Sequence, residues 1–230
     1  MIKKVKQAFL NPLQICKILI CKIKSIYFSF YIDEGIGKIV IRDSNIALKI
    51  NKDKGSKLIL NGDLIINSHI GGNNPIVINL GTNAVFEIAG DFMIGNGVKI
   101  AVNEGAVLYF GGKNIESASG ITADTIIMCY KKITIGKDFL CAWGVLITDS
   151  DWHSIGSQSH HADVFIGDHV WIANNSSVLK GSVIDNNSIV ASQSKISNKI
   201  YSPNSLLAGV PAKVIKTDIT WCRDIAVSNK

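Results

Sequence analysis

The 230 residues allow one large domain or two small ones, and 47% hydrophobic residues are ample for a packed core. The net charge of +6 suits an anionic ligand, but the lysines are scattered and no aromatic residues interleave with them, which excludes a nucleic-acid-binding module. Five cysteines (Cys16, Cys21, Cys129, Cys141 and Cys222), odd in number and without CxxC spacing, argue against a disulfide framework or a zinc knuckle, so the chain reads as cytoplasmic.

The first segment, residues 1–37, opens Ile2-Lys3-Lys4-Val5-Lys6 and resembles a signal peptide only superficially. Its apolar stretch is broken by Asn11, Pro12, Gln14, Lys17 and Lys22, no small-residue cleavage site follows, and it is too charged to span a bilayer. Ile15, Ile18, Leu19, Ile23, Ile26 and Tyr27 recur at helical spacing and leave Lys17, Cys21 and Lys24 on another face. Two readings follow. One is a cap, helical or strand-like, over the end of the domain behind it; the other is a basic amphipathic segment in peripheral contact with the inner face of an anionic membrane.

Beyond residue 38 a period of six emerges. It is loose at Ile78 and Ala84, clearer at Ile94, Ile100 and Ala106, and clear at Ile135, Cys141 and Ile147. The phase slips near Gly111-Gly112 and again from Asp149 to Val164, where a solenoid admits an inserted loop, here about 149–164. From Ile166 the period is unbroken through Ile172, Val178, Ile184, Val190 and Ile196. A second set, Val170, Ser176, Ser182, Ser188, Ser194 and Ile200, follows four places after each.

Side chains two apart on a strand share a face, so Val170 and Ile172 point inward while Trp171 points out. The serines are expected where the coil turns a corner. The bends carry Gly167-Asp168, Asn174-Asn175, Lys180-Gly181, Asn186-Asn187 and Ser192-Gln193, residue types that tolerate unusual backbone angles. Stacked coils then form a continuous apolar column, in which Cys141 is a small buried hydrophobe. The expected architecture is one all-β solenoid over 38–215, with a cap over 1–37 and a C-terminal tail over 216–230.

Chemistry is expected in the second phase slip, which holds Thr148-Asp149-Ser150-Asp151-Trp152-His153. A carboxylate beside an imidazole fixes its tautomer and stabilises the imidazolium, which suits a general base. In an extended segment Asp149, Asp151 and His153 would share a face; a backbone carbonyl could equally orient the ring.

Three motifs then carry a resemblance. Asp149-Ser150-Asp151-Trp152-His153 is similar to the D-x-D-x-H loop of the hexapeptide-repeat acyltransferases. Ile166-Gly167-Asp168-His169-Val170-Trp171-Ile172-Ala173 resembles their IGDxVWIG signature, and Ala208-Gly209-Val210-Pro211-Ala212-Lys213-Val214-Ile215-Lys216 their AGxPAKxI ending. The resemblance spans residues 133–216, and its nearest subgroup is the O-acetyltransferases of sugars and bacterial surface polysaccharides. Ala173-Asn174-Asn175 and Ser197-Asn198-Lys199-Ile200 depart from the family pattern without removing a catalytic group.

The resemblance implies a left-handed parallel β-helix, although parallel crossovers are otherwise right-handed in about 98% of cases. It implies acetyl-CoA as co-substrate, a carbohydrate acceptor, and a homotrimer with active sites between subunits. His153 becomes the general base, with Asp151 or Asp149 orienting it. Trp171, Ala191, Lys195, Gly209, Pro211, Ala212, Lys213 and Lys216 become coenzyme contacts, the small residues passing the pantetheine arm and the lysines meeting phosphates. No metal is expected, because a three-histidine zinc site would need a histidine where Gln158 stands. N-acetylation of an amino sugar, O-acetylation of serine and a non-catalytic assembly subunit are the competing readings.

Overall fold

The computed structural model describes residues 11–72, 74–113 and 119–223. Among them one helix, α1 (Pro12–Ser29), precedes short strands that assemble into three sheets of nine, seven and seven strands. Sheet neighbours lie three strands apart in the chain, so each turn of chain lays one strand on each of three faces. Every strand pairing is parallel except the last, between Leu206–Gly209 and Ala212–Lys216. The fold is all-β, a left-handed parallel β-helix of triangular section. The right-handed rule fails here because it concerns long crossovers returning across one sheet, whereas this chain turns a short corner onto the next face.

The six-residue period is the length of one face. Ile166 pairs with Ile184, Ile172 with Val190 and Val178 with Ile196, each 18 residues on, or three steps of six. All six side chains are fully buried, as is Cys141 directly beneath Ile172. Upstream the coils are longer: Leu60 pairs with Ile88, 28 residues on, and Ile135 with Ile166, 31 residues on. Extra residues in the corners shift the phase without disturbing the column, which is why the repeat is faint in the first half of the chain.

The corner serines have a chemical reason as well as a small size. The Ser176 hydroxyl donates to the Ala191 carbonyl at 2.9 Å, and the Ser194 hydroxyl accepts from the Gly209 N–H at 3.1 Å. At a corner the backbone leaves the ladder, and a buried hydroxyl takes up the group so freed. Left-handed backbone falls at Asn175, Gly181, Asn187 and Gln193, as the bend residues predict. At the remaining bend it falls one residue late, on His169 (φ 55°) rather than on Gly167-Asp168. Gly167 is instead required by close approach, since a Cβ there would stand 2.4 Å from the Asn186 carboxamide oxygen, which accepts the Asp168 N–H.

α1 begins at Asn11, whose side chain accepts the Leu13 N–H at 2.7 Å, with Pro12 in the first turn. It lies against the strand Ile39–Ile41, at the free edge of the nine-stranded sheet. Its orientation reverses the usual order, because Cys21, Lys24, Ser25, Phe28 and Ser29 face the β-helix while Ile15, Leu19, Ile23, Ile26 and Tyr27 face outward.

Candidate active site

The second phase slip is a small hairpin. Ser150 and His161 form an antiparallel bridge, the Asp151 N–H donates to the His160 carbonyl at 2.7 Å, and the Ala162 N–H donates to the Asp149 carbonyl at 3.0 Å. This hairpin leaves the coil after the strand Leu146–Thr148 and returns at Val164–Ile166, between the second and third faces. Trp152 sits in the left-handed region (φ 64°), where a bulky side chain is a genuine outlier. Its indole N–H donates to the Thr148 hydroxyl at 3.1 Å, and its ring packs edge-on against Tyr130. Such strained positions cluster at functional sites, and this one immediately precedes His153.

His153 is exposed and takes no hydrogen bond from any described residue. The two carboxylates are engaged elsewhere. Asp149 is fully buried and accepts the backbone N–H groups of Tyr130, Lys131 and Lys132 at 2.6–2.7 Å. It fastens the root of the hairpin to the coil below, so its expected role beside the imidazole is corrected. Asp151 pairs with Lys180, whose ammonium also donates to the Ser159 carbonyl at 2.7 Å. It holds the two arms of the hairpin to the coil above and does not reach His153. The parity argument failed because the hairpin is not extended, and Trp152 turns the chain between Asp151 and His153.

Lys180, Tyr130 and His160 complete the support, and none was singled out by sequence. His160 lies 4.7 Å from the Tyr130 ring and within 3.3 Å of the Ser150 hydroxyl. His161 stacks beside it, with a buried Nδ1 that finds no partner. Lys180 was read only as a bend residue, since nothing in a linear pattern links it to a carboxylate 29 positions earlier. Among the described residues no three His, Cys, Asp or Glu side chains converge as a metal-binding set.

The proposed coenzyme contacts gather on other faces. Trp171 points outward from the first face, 36% exposed, with Leu140 and Ile189 on either side of it in the sheet. Ala173, Ala191 and Gly209 follow one another at 18-residue intervals up the corner between the first and second faces, a column without bulk. Gly209 (φ 105°) has a backbone that a side chain would strain, and it opens the tight turn through Pro211 that pairs Ala208 with Lys213 and itself with Ala212. Lys213 and Lys216 are exposed on the returning strand, and Lys195 is exposed on the second face. Ala212 is buried, its carbonyl held by the Tyr201 hydroxyl at 3.1 Å. The column therefore has the shape of a thin, flexible arm and the charge of a phosphate ligand.

The C-terminal tail returns over this region. Trp221 stacks on His169 with ring centroids 4.0 Å apart and lies 5.9 Å from Trp171. His169 Nδ1 lies 2.6 Å from Asp138 and its Nε2 3.0 Å from the Trp221 carbonyl, while Arg223 bonds Asp138 and the Phe139 carbonyl. Burial opposes the ionised form of Asp138, yet the His169 hydrogen bond and the charges of Arg223 and Lys113 outweigh it and hold its carboxyl below the usual range.

A family model described as bacterial transferase hexapeptide (six repeats) matches residues 163–198. The chain is 31% identical over 149 residues to "Putative lipopolysaccharide biosynthesis O-acetyl transferase WbbJ" of Escherichia coli (strain K12), covering 50% of this chain and 73% of that protein. It is 28% identical over 181 residues to an "Uncharacterized 24.8 kDa protein in cps region" of Klebsiella pneumoniae, covering 76% and 78%. A 98-residue stretch is 34% identical to the polysialic acid O-acetyltransferase of Neisseria meningitidis, covering 40% and 46%. Among solved structures, that of the polysialic acid O-acetyltransferase OatWY superposes with a TM-score of 0.57 at 27% identity, covering 84% of this chain and 92% of that one. With this repeat, this hairpin and these relatives, the chain belongs to the hexapeptide-repeat O-acetyltransferases.

Proposed function

We propose that the protein transfers the acetyl group of acetyl-CoA to a hydroxyl of a bacterial surface polysaccharide, with His153 as general base. The observation that carries this reading is the D-x-D-x-H hairpin itself. It is the one long excursion in the regular half of the coil, it is fastened by Asp149 below and Lys180 above, and it presents an unpaired imidazole to solvent. A sugar hydroxyl is a weak nucleophile at neutral pH. The imidazole takes its proton as the oxygen attacks the thioester carbonyl, and the coenzyme leaves as the thiol. General-base assistance of this kind contributes roughly 10²- to 10⁴-fold. A cleft of about 390 Å³ ends at Trp152 and is walled by Asn51, Asp53, Asn79 and Asn103, side chains suited to bonding sugar hydroxyls.

The coenzyme column and the hairpin stand on different sides of the triangular coil. A homotrimer resolves that separation, the hairpin of one subunit meeting the column of its neighbour, and we propose this assembly. The test is thiol release from acetyl-CoA over a panel of sugars, nucleotide sugars and bacterial polysaccharides, with mass by light scattering. Release with a polysaccharide and a mass three times that of the chain are expected. Silence across the panel, with no acetyl-CoA binding by calorimetry, overturns the proposal.

A further inference from the structure

α1 is amphipathic the wrong way round for a helix that belongs wholly to a soluble protein, and its inward face explains why. In a parallel sheet alternate residues of an edge strand turn their backbone groups away from the only neighbour. Ile39 and Ile41 do so at the free edge of the nine-stranded sheet, and their N–H groups are taken by the hydroxyls of Ser29 at 3.0 Å and Ser25 at 2.9 Å. Lys24 likewise donates to the carbonyls of Ser44 and Ile46. Closing a sheet edge demands hydrogen-bonding side chains, so the helix spends its polar face on the protein.

The opposite face has no partner among the described residues. Ile15, Cys16, Leu19, Ile20, Ile23, Ile26, Tyr27 and Phe30 fall on one side at helical spacing, and the large ones are exposed, Ile23 at 67% and Phe30 at 82%. Lys17 and Lys22 flank this stripe and are exposed. The charge of the chain is distributed to match. Residues 1–32 hold six lysines and no Asp or Glu, so the whole net charge of +6 resides there and the rest of the chain is balanced. The acids nearest this end are paired: Asp33 with Lys52, Glu34 with Lys57 and Asp63 with Lys38. A groove of about 960 Å³ between α1 and the first strand adds Lys38 and Arg42 to the same positive rim.

We infer that α1 is an interfacial anchor that lays its apolar face into an anionic lipid membrane. An apolar stripe flanked by lysines is the form such helices take, the stems lying along the acyl boundary and the ammonium groups at the headgroups. No helix among the described residues is long and apolar enough to cross a membrane, so this one lies on the surface. A second copy of the chain fits the face less well, because a symmetric contact would bring two six-lysine segments together. The geometry also sets the stance of the molecule. α1 covers the free edge at one end of the coil, so the β-helix stands on end, with the His153 hairpin four strand spacings, or about 19 Å, above α1.

The test is flotation of the full chain with phosphatidylcholine vesicles, alone or with about a third phosphatidylglycerol. Binding is expected to the anionic vesicles only, to weaken at about 1 M salt, where the Debye length is near 3 Å, and to slow alkylation of Cys16. Leu19→Asp with Ile23→Asp should lower vesicle binding at least tenfold, and Lys17→Gln with Lys22→Gln should lower it less. Both variants should keep the wild-type mass and thiol release on a soluble acceptor. The readout needs neither donor nor acceptor, so it can fail while acetyl transfer stands, and the reverse. Wild-type protein that does not float with anionic vesicles, or floats equally with neutral ones, overturns the inference. So does a Leu19→Asp, Ile23→Asp variant that binds vesicles as well as wild type, or one that breaks up an assembly in vesicle-free solution, which would assign the face to a second copy.

Discussion

Asp149 shows how a residue can sit within a catalytic motif and serve the fold. Its carboxylate collects three backbone N–H groups from one corner of the coil below, and it is wholly buried. Charge-assisted bonds of this kind are worth about 1.5–3 kcal/mol each, and the donors left behind would be buried. Asp149→Asn should therefore destabilise the protein by about 2–4 kcal/mol in denaturant unfolding, with turnover per folded molecule little changed. Wild-type stability with turnover lost would return the carboxylate to the imidazole. Asp138 supports a second prediction. Its folded pKa is depressed, so its contribution is full above the ordinary value of 3.8 and is lost as pH falls through the lower folded value. The tail at Trp221–Arg223 should stay protected from hydrogen exchange at neutral pH and loosen only on acidification below about 4. Asp138→Asn should loosen it at pH 7. Tail protection in that variant equal to wild type would show that the Trp221–His169 stack alone holds it.

At the level of elements, strands announced themselves through the alternation of Val170, Trp171 and Ile172, and the corners through Asn, Gly and Ser. Both are local consequences of backbone geometry, so a linear reading could find them. The helical spacing of residues 15–27 was equally legible, but the side on which it docks was not. That depended on the free N–H groups of Ile39 and Ile41, which exist only once the first coil has formed. The bonds of Asp151 to Lys180 and of Asp149 to residues 130–132 lay beyond reach for the same reason, being contacts between coils. Ser25→Ala with Ser29→Ala should orphan both edge donors, at about 1–3 kcal/mol each, and release α1 before the β-helix melts. Amide exchange along Pro12–Ser29 would report it, and unchanged protection there would mean that Cys21 and Phe28 hold the helix unaided.

Over the whole molecule, one column of buried aliphatic side chains does the folding and leaves three outer faces free for function. The first and second faces share the bare corner of Ala173, Ala191 and Gly209, the second and third are parted by the hairpin, and one end is closed by α1. The coil tolerates the 31-residue step that contains His153 because inserted residues leave the column intact. Fold and family were readable because the period and three motifs are local, whereas the assembly of the site across subunits is a property of no single chain. The central claim is that His153 supplies the base, and the most direct measurement is thiol release from acetyl-CoA by wild type and His153→Ala with the polysaccharide acceptor identified from the panel. A fall of about 10²- to 10⁴-fold in kcat, with acetyl-CoA binding, mass and unfolding midpoint unchanged, is the predicted result. Turnover by His153→Ala at the wild-type rate would contradict the account and place the base elsewhere.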